Sequence, residues 1–401
     1  MNSNQLVEAK GTRMGYPRPR GPLFRSFWQA GFESACHINK NGVRLDMAAL
    51  TQHDHYLSED YLALERFGMR TIREGIPWHL VDCGESYDFS PLALRMKAAQ
   101  EADIEVIWSL LHFGWPDGLD LLSPEFVHRF ILYSEAVARF IRQRSDTVPF
   151  YTPINEISFL AWAAGEKGMF HPFYLDCGGQ VKRQLVKAAI GSIKAIREVD
   201  PRARIVHPDP LIHIVAPLLQ PELEEEAARQ SRAQTEAWDM IAGYRYPELG
   251  GDPSYLDILG VNYYHANQWE LGGERLRWED SPRDTRWKPL SSLLQALYQH
   301  YDRPILISET SHFGSGRVSW ISEVSVEVQT AMQWGVPVEG ICIYPILDRP
   351  DWENFDHWHH SGLWNLRPDA QGRLERVVQE DYAAELLRLQ NIDFDSISKG
   401  R

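Results

Sequence analysis

A single (β/α)₈ barrel is the fold this sequence predicts, and three observations carry it. Apolar, β-branched runs alternate with amphipathic helical stretches along the chain, the mark of a parallel sheet built from βα units. Eight such runs can be counted. No glycine-rich phosphate loop follows any of them, which removes the usual functional marker of a doubly wound open sheet. A chain of 401 residues with 44% hydrophobic and 11% aromatic content can also bury a core of barrel size.

The elements follow in order. Residues 1–22 form a polar extension with several Lys and Arg, ahead of the first strand at Phe27–Phe32. Further strands are expected at Met69–Arg73, Glu105–Leu110, Pro149–Ile154, Arg204–His207, Ile258–Asn262, Ile305–Ser308 and Gly340–Ile343. Between them, Pro124–Gln143 places Phe126, Phe130, Ile131, Val137 and Phe140 on one helical face, and Val181–Val199 does the same with Leu185, Ala189 and Ile196. The barrel is expected over 23–390, with 391–401 as a tail. Two connections are long, 208–254 and 266–289. Both follow strands and so belong to the catalytic face of a barrel, as cleft walls, an insertion or a lid.

A formal charge of −14 argues against nucleic acid or an anionic membrane surface as partner, since both need concentrated Lys and Arg. No stretch approaches the roughly 18 apolar residues of a membrane span. A small neutral or cationic substrate fits better. Cys36, Cys83, Cys177 and Cys342 are scattered without metal-type spacing, which reads as buried thiols in a reducing, cytoplasmic compartment. The clusters His53-Asp54-His55 and His357, His359, His360 lack His-Glu-x-x-His or Cys-x-x-Cys patterns, so neither a metal nor another cofactor is expected.

In a barrel the residues closing each strand face the active site. Those positions hold Glu33, Arg73 with Trp78, His112 with Trp115, Asn155 with Glu156, His207 with Asp209, Asn262 with Tyr263 and Tyr264, Glu309, and Tyr344 leading into Asp351 and Trp352. Singly, each has a bland structural reading. Jointly they put two glutamates, Glu156 and Glu309, at strand ends around one pocket, the minimum equipment for cleaving a glycosidic bond. The two must differ, one protonated and one ionised. Arg73 or the Tyr264 hydroxyl beside Glu309 would hold it charged, leaving Glu156 as the acid. Asn155 could donate to a sugar hydroxyl, and Trp115, Trp352 and Trp358 are candidate platforms for a sugar's C–H face.

These segments together resemble glycoside hydrolase family 1, as a remote member, over nearly the whole chain. Arg73-Glu74-Gly75-Ile76-Pro77-Trp78 is similar to Arg-Phe-Ser-Ile-x-Trp, and Leu111 to Leu119 resembles His-x-Asp-Leu-Pro-x-x-Leu, which places His112 on a sugar hydroxyl. Thr152 to Ile157 resembles Thr-x-Asn-Glu-Pro, implying Glu156 as acid/base and Asn155 as the 2-hydroxyl contact. Leu259 to Tyr264 is close to Gly-x-Asn-Tyr-Tyr, implying Tyr263 as a contact of the nucleophile, and Ile307 to Ser311 resembles Ile-Thr-Glu-Asn-Gly, implying Glu309 as that nucleophile. Tyr344 to Trp352 looks like Trp-Ser-Leu-x-Asp-Asn-x-Glu-Trp, which would set Asp351 and Trp352 on the outer hydroxyls of the innermost sugar. Glu33 stands near the position of a sugar-gripping glutamine.

The resemblance implies a retaining β-glycosidase acting on a carbohydrate or glycoside without cofactor. Its altered neighbours keep two alternatives open, a non-catalytic carbohydrate-binding relative and a transglycosidase using the same residues. Acidic Glu33, Asp348 and Asp351 would suit an amino sugar. The sequence leaves the sugar, the aglycone and the oligomeric state open.

Overall fold

The computed structural model describes residues 21–392 and 394, so nearly all of the expected extension 1–22 and most of the tail 391–401 lie outside the described residues. Eight strands close a barrel: β1 (Trp28–Gly31), β2 (Thr71–Gly75), β3 (Glu105–Leu111), β4 (Phe150–Ile154), β5 (Arg204–Pro210), β6 (Ile258–Asn262), β7 (Ile305–Thr310) and β8 (Val338–Ile343). Every neighbouring pair is parallel, and β1 closes on β8 through Trp28–Ile341 and Ala30–Ile343. The strands are buried on both faces, which explains their continuous apolar runs. Helices cover the outside: α1 (Leu57–Ala63), α2 (Ser90–Glu101), α3 (Pro124–Arg142), α4 (Gly178–Val199), α5 (Glu236–Ile241), α6 (Leu290–Tyr301), α7 (Gly316–Gln333) and α8 (Glu380–Gln390).

The strand expectations hold at all eight positions, with β2, β5 and β7 running two or three residues further at their carboxyl ends than the sequence suggests. In β5 the reason is Pro208 and Pro210, which read as strand breakers. Pro208 has no N–H to lose here, and its carbonyl accepts the Glu156 N–H at 3.0 Å.

The lower end of the barrel is filled. Phe24, Ile107, Phe150, Val206, Ile258 and Leu306 form a separate buried cluster, with the Phe24 and Phe150 rings 4.9 Å apart. Burying side chains of this size stabilises by about 1.5–3 kcal/mol each. With that end plugged, the barrel opens at the carboxyl ends of its strands.

The two long connections form one wall rather than two independent lobes. Strand residues His213–Val215 of the first pair in parallel with Gln268–Glu270 of the second. Helix Glu224–Arg232 backs them, with the Ser231 hydroxyl bonded to both the amide and the carbonyl of Ile214. Cys36 and Cys342 are buried thiols as expected; Cys83 is exposed and Cys177 half-buried, because both sit in loops outside the barrel wall. No helix among the described residues is long and apolar enough to cross a membrane.

Candidate active site

A cavity of about 910 Å³ opens at the carboxyl ends of the strands. Its lining includes the polar Glu33, His112, Glu156, Tyr264, Glu309, Tyr344 and Arg349, and an apolar stretch of Phe159, Trp162, Ile212, Ile214 and Trp269 edged by Lys182, Arg229 and Gln230. Burial of these ionisable groups makes their pairing decisive.

Arg73 lies inside the barrel on β2 with 1% of its surface exposed. A guanidinium buried so deeply needs partners on every side. It donates to Glu309 Oε1 at 2.8 Å, to the Ser308 carbonyl at 2.8 Å and to Asn155 Oδ1 at 2.9 Å, tying β2 to β4 and β7. The second oxygen of Glu309 accepts the Tyr264 hydroxyl at 2.7 Å. Glu309 thus meets a cation on one oxygen and a hydroxyl on the other.

Glu156 is surrounded differently. The only hydrogen-bond donor to its carboxyl among the described residues is the Asn262 amide, at 2.9 Å from Oε1, and Asn262 is itself fixed by the Ser308 hydroxyl. Burial, and then the nearby charge of Glu309, push its carboxyl well above the ordinary range. Its backbone is left-handed, at φ 50°, a strained conformation for a glutamate. The Glu156 N–H to the Pro208 carbonyl and the Leu160 N–H to the Glu156 carbonyl, at 2.8 Å, hold it there. Behind it Asp209 accepts the Ser158 N–H and hydroxyl, and burial raises its carboxyl to about 7.

A chain of contacts crosses the floor from this pair. Asn155 Nδ2 is 3.2 Å from His112 Nε2, the other ring nitrogen of His112 is 3.4 Å from the Tyr344 hydroxyl, and that hydroxyl is 3.3 Å from Glu33 Oε1. Burial, then Arg73, hold His112 well below the usual histidine value. Tyr344 can lie flat against β1 because residue 31 is glycine; a Cβ there would come within 2.1 Å of the Tyr344 ring. Glu33 ends the chain, with Oε1 accepting the Ser34 and Ala35 N–H groups and Oε2 3.2 Å from Arg349 Nε.

Of the residues expected at the site, Glu33, Arg73, His112, Asn155, Glu156, Tyr264, Glu309 and Trp352 come together here. Three do not. Tyr263 faces the helix layer, its hydroxyl accepting from Gln268 at 2.8 Å and its ring stacked 5.7 Å from Trp320. Successive residues at a strand end point to opposite sides, so only Tyr264 can reach Glu309. Trp115 is a core residue, 2% exposed, with its indole bonded to the Leu119 carbonyl and its ring edge-on to Phe126. Asp351 turns away from the cavity: its Oδ1 accepts the N–H groups of Glu353 and Asn354, and its Oδ2 is 3.2 Å from His359 Nε2.

Trp78, Trp358 and His207 also stay out of the cavity. Trp78 is buried against Phe130 and Tyr133, and His207 bonds the Tyr255 carbonyl at 2.8 Å. The histidine clusters are used locally: His53 pairs with Asp60 and Glu74, and His360 with Asp348. No group of three or more His, Cys, Asp or Glu side chains among the described residues is arranged to hold a metal ion.

Sequence reasoning missed Arg349 and the apolar wall. Arg349 occupies the asparagine position of the Asp-Asn-x-Glu-Trp pattern, and that departure was the available signal. Trp162 and Trp269 carried none, since they reach the cavity from a π-helical turn at Ala161–Glu166 and from a short strand in the 266–289 connection.

No family model and no curated protein sequence matches this chain. Among solved structures, a family 1 β-glucosidase from Thermotoga maritima is similar at 16% identity and TM-score 0.71, over 91% of this chain and 97% of that one. The β-glucosidase of the same organism in complex with glucoimidazole is similar at 17% identity and TM-score 0.71, covering 94% of this chain and 99% of that one. A hyperthermophilic β-glucosidase mutant, dodecameric in its crystal form, is similar at 16% identity and TM-score 0.72, covering 90% and 99%. The chain has the fold of these β-glucosidases, a single (β/α)₈ barrel.

Proposed function

We propose that this protein is a retaining β-glycosidase in which Glu309 is the nucleophile and Glu156 the acid/base. The observation that carries this is the contrast between the two carboxyls. Glu309 is ion-paired with Arg73 and bonded by Tyr264, whereas Glu156 is raised by burial and by Glu309 itself. In the first step a Glu309 oxygen attacks the anomeric carbon while the bond to the leaving oxygen breaks and that oxygen takes the Glu156 proton. In the second, water attacks the glycosyl ester and Glu156, now a base, takes its proton, freeing Glu309. Asn155, held by Arg73 and His112, would donate to the sugar's 2-hydroxyl, and Trp352 in the cavity lining would pack against the ring.

The test is intact-protein mass after incubation with 2-deoxy-2-fluoro glycosides bearing a good leaving group, across several sugars including uronic acids. A one-glycosyl adduct on wild type that is absent from Glu309→Gln is expected. No adduct with any of them, alongside measurable sugar binding, would replace the hydrolase with a carbohydrate-binding protein.

A further inference from the structure

The end of the cavity floor remote from Glu309 has exchanged an acceptor for a donor. By the motif, Asp351 should present a carboxylate to the outer hydroxyls of the innermost sugar. Instead that carboxylate is taken up by two backbone N–H groups and His359, and Arg349 lines the cavity beside it. The Arg349 guanidinium lies 5.5 Å above the Trp352 ring, with Nε 3.2 Å from Glu33 Oε2 and Nη1 3.2 Å from the Pro350 carbonyl. Its Nη2 has no protein acceptor among the described residues.

A guanidinium is always charged and only donates. Its counter-charge, Glu33, takes two N–H groups and a tyrosine hydroxyl on Oε1 and meets only Arg349 Nε with Oε2, so the outer Nη2 of the guanidinium stays open to a ligand; burial raises that carboxyl, and Arg349 works against the rise. The same contacts remove the case for an amino sugar, since Glu33 is paired, Asp351 is turned away, and Asp348 is fully buried on the N–H groups of Arg349 and Ser361. A pyranose seated with its anomeric carbon at Glu309 and its C4–C6 edge toward Arg349 would bring its C5 substituent to that guanidinium.

Building on the glycosidase reading, we propose that the innermost subsite takes a glycuronic acid, its C5 carboxylate received by Arg349. The experiment compares kcat/KM for 4-nitrophenyl β-D-glucuronide, β-D-galacturonide, β-D-glucoside and β-D-galactoside, on wild type and Arg349→Gln, with calorimetric binding of D-glucuronate and D-galacturonate against D-glucose and D-galactose on Glu309→Gln. A uronide is expected to exceed its neutral counterpart by about tenfold or more, and that ratio to collapse in Arg349→Gln. A neutral glycoside preferred by wild type, or a ratio unmoved by Arg349→Gln, overturns the proposal. If no glycoside is turned over but a uronic acid binds tighter than the neutral sugar, the hydrolase reading fails and the anionic subsite stands; equal binding sinks the subsite as well.

Discussion

Arg73 and Glu74 are neighbours on β2, and the pleat sends them into two buried charge networks on opposite sides of the barrel wall. Inward, at the cavity floor, Arg73 pairs with Glu309 and Arg349 with Glu33, with Glu156 and His112 alongside. Outward, between strand and helices, Arg95 and Arg376 meet Glu74, Asp60 and Asp54, with His53 among them. Each network sets three acids against two arginines and one histidine. What differs is what surrounds the histidine. His53 has a carboxylate on each ring nitrogen, at 2.8 and 3.0 Å, and although burial works against it, Glu74 and Asp60 raise its pKa. His112 has Asn155 and Tyr344 at its ring nitrogens and Glu33 3.8 Å from Nε2, and burial, then Arg73, hold it well below the usual histidine value, while burial and Glu309 push the Glu156 carboxyl up. The outer network lies largely between strand and helices, whereas the inner one opens onto the cavity, with the raised carboxyl of Glu156 among its lining.

The strongest break of this comparison is Glu309→Gln. It is expected to lower kcat by about 10⁴-fold or more, read by steady-state kinetics on an activated glycoside. Glu156→Gln is expected to cost about 10²- to 10⁴-fold, with the loss smallest for leaving groups that need no proton. Equal losses across leaving groups would remove Glu156 from the acid's role.

Next comes the outer network. Glu74→Gln leaves His53 and Arg95 facing a neutral amide in a buried site, which is expected to cost about 3–5 kcal/mol of stability in denaturant unfolding. Its activity per folded molecule should persist. A fall in kcat comparable to that of Glu309→Gln would erase the distinction between the two networks.

Tyr264→Phe and Tyr263→Phe sharpen the inner side. The first removes a hydrogen bond to Glu309, the partner of Arg73, worth about 1.5–3 kcal/mol in kcat/KM; the second removes only a contact with Gln268 and should leave the rate near wild type.

The smallest effects are in pH. Loss of the Glu156 proton disables the acid, so kcat/KM should fall as pH rises through its raised pKa, and the limb should be absent from Glu156→Gln. For His53, the folded pKa lies above the unfolded 6.5, so the folded state holds a proton the unfolded chain has lost. Its stabilisation is complete below pH 6.5 and is lost as pH rises through the folded value, at about 1.4 kcal/mol for each pH unit separating the two pKa values. A Tm that rises between pH 6.5 and 9 would refute the protonated His53.

The site was legible where the chemistry is written along one strand end. Asn155-Glu156, Glu309, Arg73 and His112 each follow an apolar run, and the barrel has one face to which such residues can point. It was illegible where loops decide. The choice of Tyr264 over Tyr263 depends on which side of β6 the pleat presents, and both are tyrosines in adjacent positions. Trp115 looked like a platform because it follows His112. Phe113, at φ 67°, and Gly114, pressed against Cys36, carry the chain down into the core instead.

By itself the sequence determined the eight strands, their helical partners and the two glutamates, since alternation of β-branched and amphipathic segments acts over a few residues. Only the tertiary structure decided which carboxyl burial pushes up, which arginine faces which acid, and that Arg349 rather than Asp351 enters the cavity. Those outcomes rest on burial and on charges brought together from strands and loops up to 316 positions apart, as Arg349 and Glu33 or Arg376 and Asp60 are. Electrostatic energies of this kind depend on separation and dielectric in three dimensions, and neither is written in local sequence.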